Sequence, residues 1–161
     1  MRLVVRTAFT LAFALLLQVG RAEATIVNYV IALSGAQEVG AAGDPDGTGT
    51  ATLTLDTTLN TIAWTIVVAN LDTVILDHIH QAPAGVNGGV VIDFGGLLSG
   101  SGLVDADVSA VVANPTGYYV NVHTNVFPGG AIRGQIPEPT TFALLGAGLL
   151  GLAAASRRRA R

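Results

Sequence analysis

The sequence predicts an all-β fold: an antiparallel, Greek-key-like β-sandwich with one short helix, flanked by N- and C-terminal hydrophobic targeting helices. Three observations carry this. Thr48, Thr50, Thr52 and Thr54 alternate with Ala51, Leu53 and Leu55, the period of a half-buried strand with a threonine face outward. Ile62, Trp64, Ile66 and Val68 alternate with Thr61, Ala63 and Thr65 immediately afterwards, so the two runs read as a hairpin turning at Asp56 to Asn60. Gly, Asn and Pro interrupt the other apolar runs at 40–49, 83–89 and 127–130, where turns are expected.

In chain order the remaining strand candidates are Ile26–Leu33, Leu76–His80, Val90–Phe94, Leu97–Val104, Tyr118–Thr124 and Ala131–Ile136. One short helix fits between the last two pairs. Asp105 or Asp107 can cap it, Val108, Val111 and Val112 give it an apolar side, and Asn114-Pro115 ends it. Trp64 falls on the apolar parity of its strand and is expected in the core. Asp44-Pro45-Asp46-Gly47 is read as a turn, since the later acidic ligands of a calcium loop are missing.

Composition bounds the function. The chain has 161 residues, half of them hydrophobic, 12% charged and none of them cysteine. That excludes a disordered acidic chain, a disulfide framework and a thiol nucleophile. All eight basic residues are arginine, and seven of them lie near the ends. Between Thr25 and Ile136, Arg133 stands against nine acids, so this segment carries −8 although the whole chain carries −3. A face that acidic repels phosphate backbones, and nucleic acid is not an expected partner. Arg133 is expected to pair with one of the acids, and Glu38 reads as a strand-end charge in preference to a carboxylate ligand. No nucleophile elbow, zinc-protease helix, P-loop or dinucleotide fingerprint is present.

Both ends read as targeting segments. Arg2 and Arg6 precede an apolar stretch over 7–20, and Ala22-Glu23-Ala24 supplies small residues at the spacing signal peptidase requires. Residues 1–24 are therefore expected to be a signal peptide, cleaved after Ala24. At the other end, Pro137-Glu138-Pro139 precedes an uncharged run over 141–155 and a cluster containing Arg157, Arg158, Arg159 and Arg161. As a helix that run spans roughly 22 Å against a bilayer core of about 30 Å, a marginal span suited to transient retention. The positive-inside rule keeps both Arg-bearing ends on the cytoplasmic side of the inner membrane and the middle segment outside. This tripartite tail resembles the PEP-CTERM sorting signal of Gram-negative bacteria. The resemblance implies recognition by an exosortase-type enzyme near Pro137, Glu138 and Pro139 and delivery toward the cell surface. A plain transmembrane anchor that is never cut is the alternative.

The middle segment also carries a family pattern. Leu33-Ser-Gly-Ala-Gln-Glu-Val39, Gly47 to Asp56, His78-Ile-His80, Asn87-Gly-Gly-Val-Val91, Tyr119-Val-Asn-Val-His-Thr124 and Pro128-Gly-Gly-Ala-Ile-Arg-Gly-Gln135 occur in this order. Together they resemble the CHRD domain of chordin and of secreted bacterial proteins, which sets the expected domain at 25–136 and the sorting signal at 137–161. The resemblance implies a β-sandwich of immunoglobulin-like character and no established enzymatic activity. One departure stands out: Ala131 occupies a position where the family usually has Glu, so any salt bridge or ligand role of that Glu is absent.

The three histidines are the candidate chemistry. In a strand, residues i and i+2 share a face, so His78 and His80 point one way and Ile79 the other. His123 shares its face with Asn121 and Tyr119. If the two strands are neighbours, His78, His80 and His123 converge. Three neutral imidazoles suit Cu(II) or Zn(II), with Asp77 and Asp93 available to fix ring tautomers from behind. The H-x-H on a β-sandwich also looks like the copper half-site of Cu/Zn superoxide dismutases, but three histidines cannot supply both dismutase sites. The competing reading is structural: the histidines hydrogen-bond backbone or Asn121 and fasten two strands together. The functional expectation is accordingly an exported, non-catalytic surface or extracellular-matrix module that binds a protein or polysaccharide. A His-based metal-binding protein or small metalloenzyme is the alternative.

Overall fold

The computed structural model describes residues 26–40 and 42–139. The expected targeting helices, the signal cleavage at Ala22 and Ala24 and the cluster Arg157 to Arg159 lie outside the described residues. Eight strands form: β1 (Ile26–Ser34), β2 (Thr48–Asp56), β3 (Thr61–Ala69), β4 (Val74–Gln81), β5 (Gly89–Asp93), β6 (Ser99–Val104), β7 (Tyr118–Thr124) and β8 (Ile132–Gln135). One helix, α1 (Val108–Ala113), and two single 3₁₀ turns complete the described chain. Each strand lies within two residues of the segment that alternation picked out.

All pairings are antiparallel and join the strands into one sheet in the order β5-β4-β7-β8-β1-β2-β3-β6. The sheet is not flat. It curls around one core built from the inward parity of every long strand: Tyr29, Ile31 and Leu33 of β1, Leu53 and Leu55 of β2, Ile62 and Ile66 of β3, Ile79 of β4, Val120 and Val122 of β7. Each such side chain removed from water contributes about 1.5–3 kcal/mol, which is what bends the sheet onto itself. The middle of the sheet is its weakest seam, because β8 and β1 meet through the single pair Ser34–Arg133. The two ends approach each other on the far side. Trp64 of β3 stacks on Phe94, just beyond β5, with centroids 4.6 Å apart, and its indole N–H donates to the Leu97 carbonyl at 2.6 Å.

Turn chemistry follows the sequence. The Asp56 carboxylate accepts from the N–H groups of Thr58 and Leu59, and Asn60 takes φ +49°, which closes the β2–β3 hairpin. Asp44 accepts from the N–H of Gly47 at 3.1 Å, so the 44–47 segment is the expected turn. The helix entry differs in detail from expectation. Asp107 at the N-cap makes no side-chain cap bond; Asp105 holds the entry instead by accepting from the Asp107 N–H at 2.9 Å.

The largest departure concerns β7. Where β1, β2 and β3 bury one parity, all seven of its residues are buried. Val120 and Val122 face the core. Tyr119, Asn121 and His123 face outward but are roofed by the β4–β5 loop and the 127–131 segment.

Candidate metal centre

β4 and β7 are neighbours, as convergence of the histidines requires, with His80 across from Tyr119, His78 across from Asn121 and Leu76 across from His123. The three imidazoles therefore share the outer face of the sheet. They are 7–8% exposed. Ring centroids lie 5.4 Å apart for His78–His80, 5.1 Å for His78–His123 and 5.9 Å for His80–His123. Each ring can offer one nitrogen such that all three nitrogens lie within 4.8 Å of one another.

Hydrogen bonds set the tautomers of two of these rings. Nδ1 of His80 is 3.0 Å from the Gly88 carbonyl, and Nδ1 of His123 is 3.0 Å from the Pro128 carbonyl. A carbonyl only accepts, so both Nδ1 atoms carry the proton and donate. Both Nε2 atoms then present lone pairs, and both are buried with no protein partner. His78 is turned the other way: its Nε2 is 3.6 Å from Asp93 Oδ1, and its Nδ1 is the buried atom without a partner. Burial lowers the pKa of all three rings, and the neighbouring rings lower those of His80 and His123 further, so the set is neutral at pH 7. Each of the three rings thus has one buried nitrogen without a protein partner.

The supports are local. A Cβ on Gly88 would run into the Gln81 carbonyl, so only glycine lets the loop close tightly enough for its carbonyl to reach His80. The Gly88 N–H donates to the Tyr119 hydroxyl at 3.2 Å, and the Tyr119 ring stacks on His80 with centroids 4.9 Å apart. The guanidinium of Arg133 lies 3.4 Å over the other side of Tyr119. Arg133 is 2% exposed, and its donors go to Asn87 Oδ1 and the Pro83 carbonyl. The expected pairing of Arg133 with an acid is thereby corrected: neutral acceptors and an aromatic face hold it, and Glu38 senses its charge without bonding to it.

The two acids behind the histidines fall apart. Asp93 lies across from His78 in the β4–β5 pair and faces its ring. Asp77 alternates with His78 and His80 and belongs to the Ile79 side; it is fully buried, and its carboxyl is pushed up to about 6, chiefly by burial. The structure does not bring Asp77 to the histidine cluster, and period-2 parity already carried that signal. Tyr119, Arg133 and Gly88 were not singled out for the site from sequence; their sign was the parity shared by Tyr119, Asn121 and His123.

The comparisons with known proteins agree with the two resemblances. Residues 135–159 match the PEP-CTERM protein-sorting motif. That motif marks an exported chain for exosortase processing and cell-surface sorting. Residues 135–139 are its described part, and within it Pro137 to Pro139 follow directly on the buried Ile136. Among the described residues no helix is long and apolar enough to cross a membrane. No curated protein and no solved structure matches the chain. The CHRD domain model matches residues 29–136, more than half of the chain, and so the protein belongs to the CHRD-domain family.

Proposed function

We propose that this exported protein is a surface metal-binding module that takes one Cu(II) or Zn(II) ion at His78, His80 and His123. The carrying observation is the set of three buried, unpartnered ring nitrogens within reach of one ion. A network built from protein groups alone leaves one nitrogen of each ring without a partner. Leaving a buried acceptor unsatisfied costs about 1–3 kcal/mol, and three at one point is a cost that a bound cation removes. Neutral imidazoles are the donor type such ions prefer, and the Gly88 and Pro128 carbonyls hold two tautomers ready for it.

The proposed role is binding rather than catalysis. The dismutase-like alternative requires a copper ion that changes oxidation state during turnover, and superoxide consumption by copper-loaded protein separates the two. The partner we propose for the module is an extracellular protein or polysaccharide, supported by the uncharged outer face of β2, with Thr48, Thr50 and Thr52 exposed. We also read the two halves of the curled sheet as the layers of an immunoglobulin- or dismutase-like sandwich, with Trp64 against Phe94 as support.

The test is metal analysis of the exported protein purified from its own host, followed by titration of the stripped protein with Cu(II) and Zn(II). We expect about one ion per chain, and His80→Ala or His123→Ala to lose most of the affinity. No bound metal, or heats unchanged by both substitutions, would leave the histidines as a structural network and the module to act through its outer face alone.

A further inference from the structure

We infer that Asn121 is the fourth ligand of this centre, its side-chain carbonyl oxygen completing an N3O donor set; the inference rests on the metal-binding reading above. The β4–β7 register carries it. Three rows of side chains cross these strands: His80 with Tyr119, His78 with Asn121, Leu76 with His123. The line from His80 to His123 runs diagonally over the middle row. His78 stands on one side of that line and Asn121 on the other. The four side chains occupy the corners of a rhombus, and an ion shared by the three imidazoles sits over its centre.

The state of the Asn121 amide agrees. Asn121 is 3% exposed, and its Oδ1 is buried with no protein partner. Donors on three neighbouring side chains are directed elsewhere. Arg133, directly across β8, gives its N–H groups to Asn87 and Pro83. The Nδ1–H groups of His80 and His123 go to Gly88 and Pro128. The remaining ring nitrogens around Asn121 are acceptors, as its own oxygen is. A cation over this point meets all four atoms. A neutral oxygen beside three imidazoles also makes the site borderline rather than soft, which favours Zn(II) and Cu(II) over Cu(I).

The experiment loads exported wild-type, Asn121→Ala and Asn121→Asp proteins with Cu(II) or Zn(II). It reads affinity by chelator competition and donor set by Cu(II) paramagnetic resonance. Loss of a group that only supports a ligand already weakens binding by about 10–100-fold, and we expect at least that for Asn121→Ala. Asn121→Asp, with a charged oxygen in the same place, is expected to tighten binding and shift the copper spectrum. In wild-type protein labelled with ¹³C-asparagine, a strong carbon hyperfine coupling to Cu(II) is expected, which tests the ligand without any substitution. Absence of that coupling, or wild-type affinity and spectrum in Asn121→Ala, overturns the fourth ligand while leaving the histidine site standing. Failure of the wild type to bind metal overturns both.

Discussion

Glu38 shows how a single carboxyl is held against its preference. It follows β1, it is half-buried, and its Oε1 has no protein partner. Gly130 adopts φ +135°, and a Cβ there would come within 2.7 Å of the Glu38 carboxyl, so the backbone closes on it at a residue only glycine suits. Burial pushes its pKa from 4.5 up to about 7, against a partial pull from Arg133. Between those values the folded state holds the proton and the unfolded state does not, so stability linked to Glu38 is greatest below the unfolded value and declines as pH rises through the folded one. Asp77 acts in the same direction. The histidines act oppositely: their lowered pKa values give stability that is present above the ordinary histidine range and lost on acidification. We expect Glu38→Gln to raise the melting temperature at pH 8 and to be neutral below pH 5. Solvent screening of a half-exposed group limits the gain to about 1 kcal/mol, roughly 4 °C. An equal shift at both pH values in thermal melts would show that charge is not the cause.

At the scale of elements, Trp64 ties the ends of the curled sheet together through Phe94 and Leu97. Trp64→Ala is expected to cost about 3–5 kcal/mol in denaturant unfolding, the range for a large aromatic removed from a core. A loss below 1 kcal/mol would mean that the seam holds without it. The strands β1, β2 and β3 were legible in sequence because each buries one parity, and Trp64 itself is an example. The roof over β7 was not. Alternation reports which side chains share a face, not what covers that face. The cover comes from Gly88, Asn87 and Pro128, residues whose loop positions read as solvent. For the same reason the shared face of His78 and His80 was legible, and so was Asn121 beside His123. The ring tautomers, the unpartnered Asn121 oxygen and the Arg133–Tyr119–His80 stack were not, because each depends on where a loop carbonyl or guanidinium arrives in space.

For the whole molecule, charge is segregated along the chain. Seven of the eight arginines lie outside the CHRD match, and the matched domain is lysine-free and strongly acidic. Protein extracted from the cell surface is expected to lack Arg157 to Arg161, and intact mass measures this directly; a mass that retains the cluster would mean the tail remains as an anchor. The domain meets its sorting signal without a spacer. Ile136 is fully buried and its N–H donates to the Tyr118 carbonyl at 3.0 Å, and Pro137 comes next. Three residues reach at most about 10 Å. Once β8 has docked, the tripeptide is on a leash that short, and an enzyme that must draw it into a deep cleft would have to peel the last strand away. The sorting reaction is therefore confined either to a shallow cleft pressed against the domain wall or to the interval before the final strand closes.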